Sequence, residues 1–266
     1  MKSLLKIPLL VAVATMMTCS FSACSDNDDP TPDTGTSETD AKFEAIAKQY
    51  LDHTVYVTYK NLADETEQLV KDLQALKSSK TDANVKATCE TFLEARAWWE
   101  KSEAFLYGAA TDFGIDPHID SWPLDLDGLQ TALKNTEQVE AMGGEDGDIY
   151  AGEKLGNSLL GFHGIEYILF EDGSPKSVSK ISDLHLTYAV AVAGDLRNRC
   201  WQLELSWRGE SAVNADRVAK VANELELPYT VNSGEYSYGE NMLNAGKAGS
   251  LSLIHISEPT RHAQIS

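Results

Sequence analysis

Positively charged residues are scarce in this sequence. Its 266 residues include 22 lysines and arginines against 41 aspartates and glutamates, so the formal net charge at pH 7 is −19. A chain this acidic repels the phosphates of nucleic acids and the headgroups of anionic lipids, and it attracts cations. We therefore expect no nucleic-acid partner, and we attribute the charge to solubility or to cation attraction.

Strand patterns are also lacking. We find no convincing strand, whereas apolar residues recur at spacings of three and four along most of the chain. This spacing predicts helices at about 41–76, 83–107, 129–135, 153–170, 179–207 and 215–225. With 42% apolar residues, the chain can build a sizeable core in one large or two small domains. The sequence predicts an all-α protein built as a helical bundle.

Cysteine is rare, with four in the whole chain. Two of them fall within the first 24 residues. The other two, Cys89 and Cys200, lie far apart in sequence on predicted buried helix faces. We expect free buried thiols at these two positions in preference to a disulfide.

The first 24 residues are typical of a secretion signal. Lys2 and Lys6 supply its positive end, and the apolar stretch 9–17 is too short to span a bilayer. Residues 21–24, Phe-Ser-Ala-Cys, resemble a lipoprotein processing box. This predicts a signal peptide over residues 1–23 and lipidation of Cys24.

The segment after Cys24 bears on localisation. Residues 25–29, Ser-Asp-Asn-Asp-Asp, resemble the acidic tag of outer-membrane lipoproteins that Bacteroides-type bacteria display on the cell surface. The alternative is that these acids only begin a solvated tether, with the protein facing the periplasm. Residues 24–40 are polar and rich in Pro and Thr, which predicts a disordered tether. Membrane contact is expected only through the lipid anchor.

Two loops do not meet the requirements of common binding motifs. The acidic segment 111–126 and the residues just after it lack the ligand spacing and closing glutamate of an EF-hand. The glycine-rich segment 142–152 neither follows a strand nor opens a basic helix, as a phosphate-binding loop would. We therefore expect no EF-hand and no phosphate loop.

The strongest candidate site is residues 161–166, Gly-Phe-His-Gly-Ile-Glu. His163 and Glu166 lie three apart, so on a helix they project side by side and can share one divalent cation. Gly161 and Gly164 each cost a helix roughly 1 kcal/mol against alanine, which indicates crowding or a ligand. Without a metal, the same two polar side chains would form a buried hydrogen-bonded pair that fixes helix register.

The predicted helix 83–107 carries a second group of polar residues. One choice of its buried face includes Arg96 and Glu103, which must then pair or meet a ligand, because an unpaired buried charge costs several kcal/mol. In the other choice these charges lie at the edge, and Arg96 pairs with Glu100 four residues on. That second face consists of Phe92, Ala95, Trp99, Ser102 and Leu106.

These segments resemble the imelysin-like family of bacterial envelope proteins. Residues 161–166 match its Gly-x-His-x-x-Glu signature, and residues 95–108 are similar to the family helix that precedes it. Residues 115–123 are similar to the loop after that helix, and residues 238–249 look like the start of the family's second half.

The resemblance implies two helical bundles with the signature near their interface. Residues 41–208 would form the first bundle, and residues 209–249 would begin the second. Residues 250–266 change in character and resemble a translated sequencing adaptor, so we expect a non-native tail and a second half that is largely missing.

The resemblance also implies a role in iron-regulated uptake at the cell envelope. We expect a metal-binding module for iron or haem acquisition, with His163 and Glu166 as ligands and Glu103 as a third. Arg96 would orient a carboxylate, and Asp120 would support a ligand without touching the metal. Nitrogen and oxygen donors suit Fe, Zn or Mn without selecting among them. The expected partners are a metal ion or iron-carrying ligand, and envelope uptake proteins.

Two other functions remain open. The family carries a metallopeptidase label, and a zinc hydrolase needs three ligands and a general base. The signature lacks the second histidine of His-Glu-x-x-His zinc peptidases, and no nucleophile motif is present. The third possibility is a structural or interaction bundle that holds no metal.

Overall fold

The computed structural model describes residues 38–244. The predicted signal peptide 1–23, the lipidation site Cys24 and the adaptor-like tail 250–266 lie outside the described residues. Nearly all of the described residues belong to one compact unit, which begins at Lys42. None of the helices within residues 38–244 has the length and apolar character that a membrane span requires.

Helices dominate the structure, which confirms the all-α prediction. The α-helices are α1 Glu38–Tyr50, α2 Tyr56–Ser78, α3 Asp82–Lys101, α4 Ala109–Asp112, α5 Ile115–Ile119, α6 Leu126–Lys134, α7 Thr136–Met142, α8 Gly147–Lys154, α9 Gly161–Leu169, α10 Asp183–Arg208, α11 Ala215–Val218 and α12 Tyr238–Leu243. Turns of 3-10 helix span Ser102–Phe105, Asn157–Leu159, Val178–Lys180, Glu210–Ala212 and Val231–Ser233, and π-helical turns span Leu51–Val55 and Ala219–Glu224.

The core is organised around α10. Its N-terminus is capped by Ser182, whose hydroxyl oxygen accepts a hydrogen bond from the backbone amide of His185 at 3.1 Å. Buried residues lie all round α10, as expected for a helix enclosed by others. It packs most extensively on α2, which in turn packs on α3, and it also contacts α8 and α9. Helix α10 is therefore the central support of the described fold.

The helix predicted at 83–107 ends early, at Lys101. There the hydroxyl of Ser102 donates a hydrogen bond to the carbonyl oxygen of Trp99 at 2.7 Å, and a 3-10 turn follows. A side chain that bonds to the preceding turn competes with continued α-helix.

The helix predicted at 153–170 is also wrong as a single element. Helix α8 ends at Lys154 and α9 begins only at Gly161, so the loop predicted at 142–152 contains most of α8. Gly161 has a φ of +65°, which a continuous right-handed helix does not allow.

A small hairpin follows α9 and was not predicted. Strands β1 Phe170–Glu171 and β2 Ser174–Pro175 pair antiparallel, with Phe170 opposite Pro175. The turn between them uses Asp172 and Gly173, with φ values of 51° and 72°. Two-residue strands are too short for an alternating pattern, so the sequence offered no strand signal.

The two described cysteines are free and buried, as predicted. Burial raises the pKa of the Cys89 thiol to about 12. Burial likewise raises the pKa of Cys200 above its usual range. Both side chains are therefore protonated at neutral pH and serve as small apolar residues of the core.

Candidate metal-binding site

Three segments bring the polar residues of the candidate site together. Arg96 and Trp99 lie on α3, His163 lies on α9, and Asp120 directly follows α5. Helix α9 contacts α3, α5 and α10, so the three backbones approach each other at one place. The site is a product of tertiary packing between segments that are distant in sequence.

Asp120 is the central acceptor of this cluster. One carboxylate oxygen accepts a hydrogen bond from the Arg96 guanidinium, and the other accepts one from the indole Nε1 of Trp99 at 2.8 Å. The Nε2 atom of His163 lies 3.1 Å from the first oxygen. The side chain of Asp120 is only 12% exposed, so these partners replace the water that an ionised carboxylate otherwise needs.

His163 lies between two carboxylates. Its Nδ1 atom is 3.1 Å from Oε2 of Glu166, while its Nε2 atom faces Asp120. The imidazole is 17% exposed, and its ring lies 4.9 Å from the ring of Trp122, measured between centroids. The carboxylate of Glu166, by contrast, is half exposed. The Nδ1 edge of the ring therefore faces the accessible side of the site.

The two glycines of the signature are explained by crowding. A Cβ atom on Gly161 would lie 2.0 Å from the carbonyl oxygen of Ile119, the residue before Asp120. A Cβ atom on Gly164 would lie 2.7 Å from the hydroxyl of Tyr188 on α10. Both glycines therefore allow α9 to approach its neighbours closely enough to place His163 beside Asp120.

Arg96 joins two carboxylates. Besides Asp120, it forms an ion pair with Glu100 at 2.6 Å, the pairing four residues on that the second face of α3 predicts. The guanidinium also lies 5.2 Å from the ring centroid of Phe162 on α9. Four residues of that second face are buried: Phe92, Ala95, Trp99 and Ser102. Arg96 lies at the edge of that face and nevertheless reaches the site.

Glu103, expected as a third ligand, is not brought to this group. It is exposed on the 3-10 turn after α3, and among the described residues it forms no hydrogen bond or ion pair with His163 or Glu166. The early end of α3 turns this residue away from the face that carries Arg96 and Trp99. Within residues 38–244, no group of three or more His, Cys, Asp or Glu side chains could hold a metal ion.

The donors that are present fit one edge of a mixed nitrogen and oxygen site. A cation at the Nδ1 edge would meet the imidazole of His163 and the carboxylate of Glu166, while Asp120 supports the opposite nitrogen. A carboxylate near the second nitrogen of a ligating histidine is a common arrangement, because it fixes the orientation of the ring. One cation cannot be shared by both carboxylates in this geometry, because they lie at opposite edges of the ring.

A second buried histidine holds the segment that carries Asp120. His118 on α5 lies with its Nε2 atom 2.7 Å from Oδ2 of Asp195 on α10, and both residues are buried. On the same turn, burial and the nearby charge of Asp120 raise the pKa of Asp116. The sequence did not reveal the His118–Asp195 pair, since its members are 77 residues apart and neither belongs to a recognisable spacing.

His163 and Glu166 both line a cavity of about 440 Å³. Aromatic side chains of Phe92, Trp122, Tyr167 and Phe170 line much of it, and Glu166 lies at the same wall. The aromatic residues were assigned no role from the sequence, because aromatic residues at helical spacing are ordinarily core.

The fold and the site define a class: all-helical proteins in which packed helices hold a histidine–carboxylate cluster. The imelysin family profile, Peptidase M75, matches residues 55–246. The chain therefore belongs to the imelysin family, which confirms the resemblance seen in its motifs.

Two proteins named iron-regulated protein A are similar to this chain. Iron-regulated protein A of Synechococcus elongatus is 31% identical over 163 residues, which cover 61% of this chain and 40% of that protein. An iron-regulated protein A precursor from Parabacteroides distasonis has a similar structure, with a TM-score of 0.57 and 25% identity over 79% of this chain and 56% of its own.

An imelysin-like protein from Psychrobacter arcticum shares the fold, with a TM-score of 0.51 and 15% identity over 79% of this chain and 58% of its own. The chain thus spans less than two thirds of the length of each of these three relatives.

Proposed function

We propose that this chain is a cell-envelope protein that binds a transition-metal ion at His163 and Glu166 in the service of iron acquisition. The observation that carries the proposal is the placement of His163, with Nδ1 3.1 Å from an accessible carboxylate and Nε2 turned to Asp120. This is the arrangement in which a histidine acts as an oriented metal ligand.

The supporting residues have distinct tasks in this proposal. His163 and Glu166 would hold the ion, and Asp120 would keep the imidazole in place through Nε2. Arg96 and Trp99 would in turn fix the two oxygens of Asp120. Water or a ligand carried by the ion would occupy the remaining coordination positions.

The donor set suits Fe, Zn or Mn, since imidazole and carboxylate bind all three. We place iron first because two of the relatives are named iron-regulated protein A. The net charge of −19 favours cation approach in general. Anchorage at the outer membrane through Cys24, and contact with envelope uptake proteins, belong to the same proposal.

A structural role is the competing function, and one observation favours it. Both ring nitrogens of His163 already have a carboxylate within 3.1 Å, so the cluster is satisfied without a metal when the imidazole is protonated. In that case the four residues Arg96, Asp120, His163 and Glu166 only hold α3, α5 and α9 in register.

Calorimetric titration distinguishes the two functions. Fe²⁺, Zn²⁺ and Mn²⁺ are titrated into the wild type, His163→Ala and Glu166→Gln, with His53→Ala as a control that removes an exposed histidine from another helix. We expect binding to the wild type and the control, loss of binding in the other two, and weaker binding as the pH is lowered, because protons compete with the metal for its ligand atoms.

The metal-binding function and the structural role predict different results in this titration. Absence of binding heat for all four proteins, with melting temperatures that do not respond to metal, would end the metal proposal. The structural role would then be supported by a loss of about 0.5–1.5 kcal/mol of stability in His163→Ala, since Asp120 keeps Arg96 and Trp99 as donors and Glu166 is half exposed.

A further inference from the structure

The cavity beside His163 is larger than a metal site requires. A bound cation lies about 2.0–2.6 Å from its ligands, so its immediate site occupies a small part of this space. The cavity has a volume of about 440 Å³, within the range of about 300–1,000 Å³ for pockets that hold small organic ligands. A metal ion would therefore leave most of this cavity free for a second ligand.

The walls of this cavity are apolar and partly exposed to solvent. Trp122 is 75% exposed and Leu93 is 55% exposed, and both line the cavity. Phe170 forms part of the same wall and packs in turn against Phe92, with 5.4 Å between ring centroids. Large apolar side chains that remain exposed around a concavity are typical of a ligand-binding site.

Acidic side chains outnumber basic ones along this cavity. Glu166, Glu171 and Asp172 line it, and among the lining residues His163 is the sole side chain able to carry a positive charge. Lys180 neutralises Glu171 through an ion pair. The other acidic groups beside the aromatic walls are Asp172 and Glu166, and the Oε2 atom of Glu166 faces His163.

The structure also contains an internal example of a cation held by these walls. The Nζ atom of Lys176 lies 4.7 Å from the ring centroid of Tyr167 and donates a hydrogen bond to the backbone carbonyl oxygen of the same residue. An ammonium group over an aromatic ring is stabilised by the negative face of the ring. The ring of Tyr167, a residue that lines the cavity, therefore already receives one cation.

We propose that this cavity binds an organic cation, an ammonium or guanidinium group on an apolar body. The apolar body would lie against Trp122 and Phe170, and the cationic group would meet Glu166 and Asp172. This ligand site shares Glu166 with the proposed metal site and goes beyond it, since binding to Trp122 and Asp172 needs no metal.

The experiment uses three probes of similar size and different charge. Benzyltrimethylammonium, benzyl alcohol and phenylacetate are titrated calorimetrically into the full chain in the presence of a chelator. We expect the cation to bind most tightly and the anion most weakly. The chelator removes any bound metal, which would otherwise attract the anion.

Two variants locate the site, each with a matched control. Asp172→Asn removes one charge while keeping a residue that tolerates the φ of 51°, and Asp216→Asn does the same at an exposed position elsewhere. Trp122→Ala removes the exposed aromatic wall, and Tyr236→Ala removes another exposed aromatic residue. We expect each cavity variant to weaken binding of the cation about threefold, as for exposed cation–π and charge contacts, and the controls to leave it unchanged.

Three results would overturn the proposal. The first is phenylacetate binding as tightly as benzyltrimethylammonium, and the second is equal losses of affinity in the cavity variants and their controls. The third is the absence of saturable binding of the cation. Because metal is absent throughout, failure here leaves the metal titration untouched, and failure of the metal titration leaves this result standing.

Discussion

Replacing Asp120 tests whether one carboxylate holds the candidate site together. In Asp120→Ala, the indole Nε1 of Trp99 loses its acceptor in a position where the side chain is fully buried. An unsatisfied buried donor costs about 1–3 kcal/mol. The loss of its contact with Asp120 costs Arg96 less stabilisation, because its side chain is a quarter exposed and keeps its 2.6 Å ion pair with Glu100.

The expected total follows from these two contributions. The cost should lie at the lower end of the range of about 3–5 kcal/mol for a fully buried broken ion pair, because Arg96 retains a partner. We expect the free energy of unfolding to fall by about 3 kcal/mol in Asp120→Ala. In Asp120→Asn we expect a loss of about 2 kcal/mol, because the amide oxygen still accepts a hydrogen bond from one donor while the amide N–H group is turned to the other donors.

Urea unfolding followed by circular dichroism measures this loss. The control is Asp127→Asn, an exposed aspartate on the first turn of α6, where the helix dipole accounts for less than about 1 kcal/mol. A loss under about 1 kcal/mol in Asp120→Ala would refute the reasoning, since the Trp99 indole would then have found another acceptor.

Two further predictions concern packing and pH. Gly161→Ala should cost about 2–4 kcal/mol in urea unfolding, because it combines a φ of +65° with a clash against the carbonyl of Ile119, whereas Gly156→Ala, with open space around it, should cost under about 1 kcal/mol. Burial acts to raise the pKa of Asp148, but a hydrogen bond from Asn198 and two nearby cations outweigh it and lower the pKa below its usual value. The stability that this carboxylate contributes is therefore present above about pH 4 and lost as the pH falls through the lowered folded-state pKa, so Asp148→Asn should lower the urea midpoint at about pH 7 and have a smaller effect at about pH 3. An equal shift at both pH values would contradict this.

Much of the fold follows from local spacing. Apolar residues at three and four apart predicted the long helices. Thr81 caps α3, since its side chain accepts a hydrogen bond from the backbone amide of Asn84. Spacing also placed His163 and Glu166 on one helix face, since neighbours three apart meet on any α-helix. Their 3.1 Å contact is thus a property of α9 alone.

The errors arose where a tertiary contact interrupts a local pattern. The apolar run through 153–170 continues helical spacing, but a backbone approach at Gly161 requires a φ that breaks the helix. Glu103 lies on the same stripe as Arg96 in an ideal helix, and the turn that begins at Ser102 separates them. Periodicity describes a regular element and carries no information on where packing ends it.

The partners of His163 and Arg96 across the fold were settled by packing. Asp120 contacts both residues because α5 packs against α9 and α10. The His118–Asp195 pair and the close approach of Gly161 to Ile119 fix the position of α5. Helical spacing relates residues up to about four apart, whereas these contacts depend on how whole helices cross. The cavity arises in the same way, because its walls come from α3, α9, the β-hairpin and the segment around Trp122, and they enclose space only when those elements are packed together.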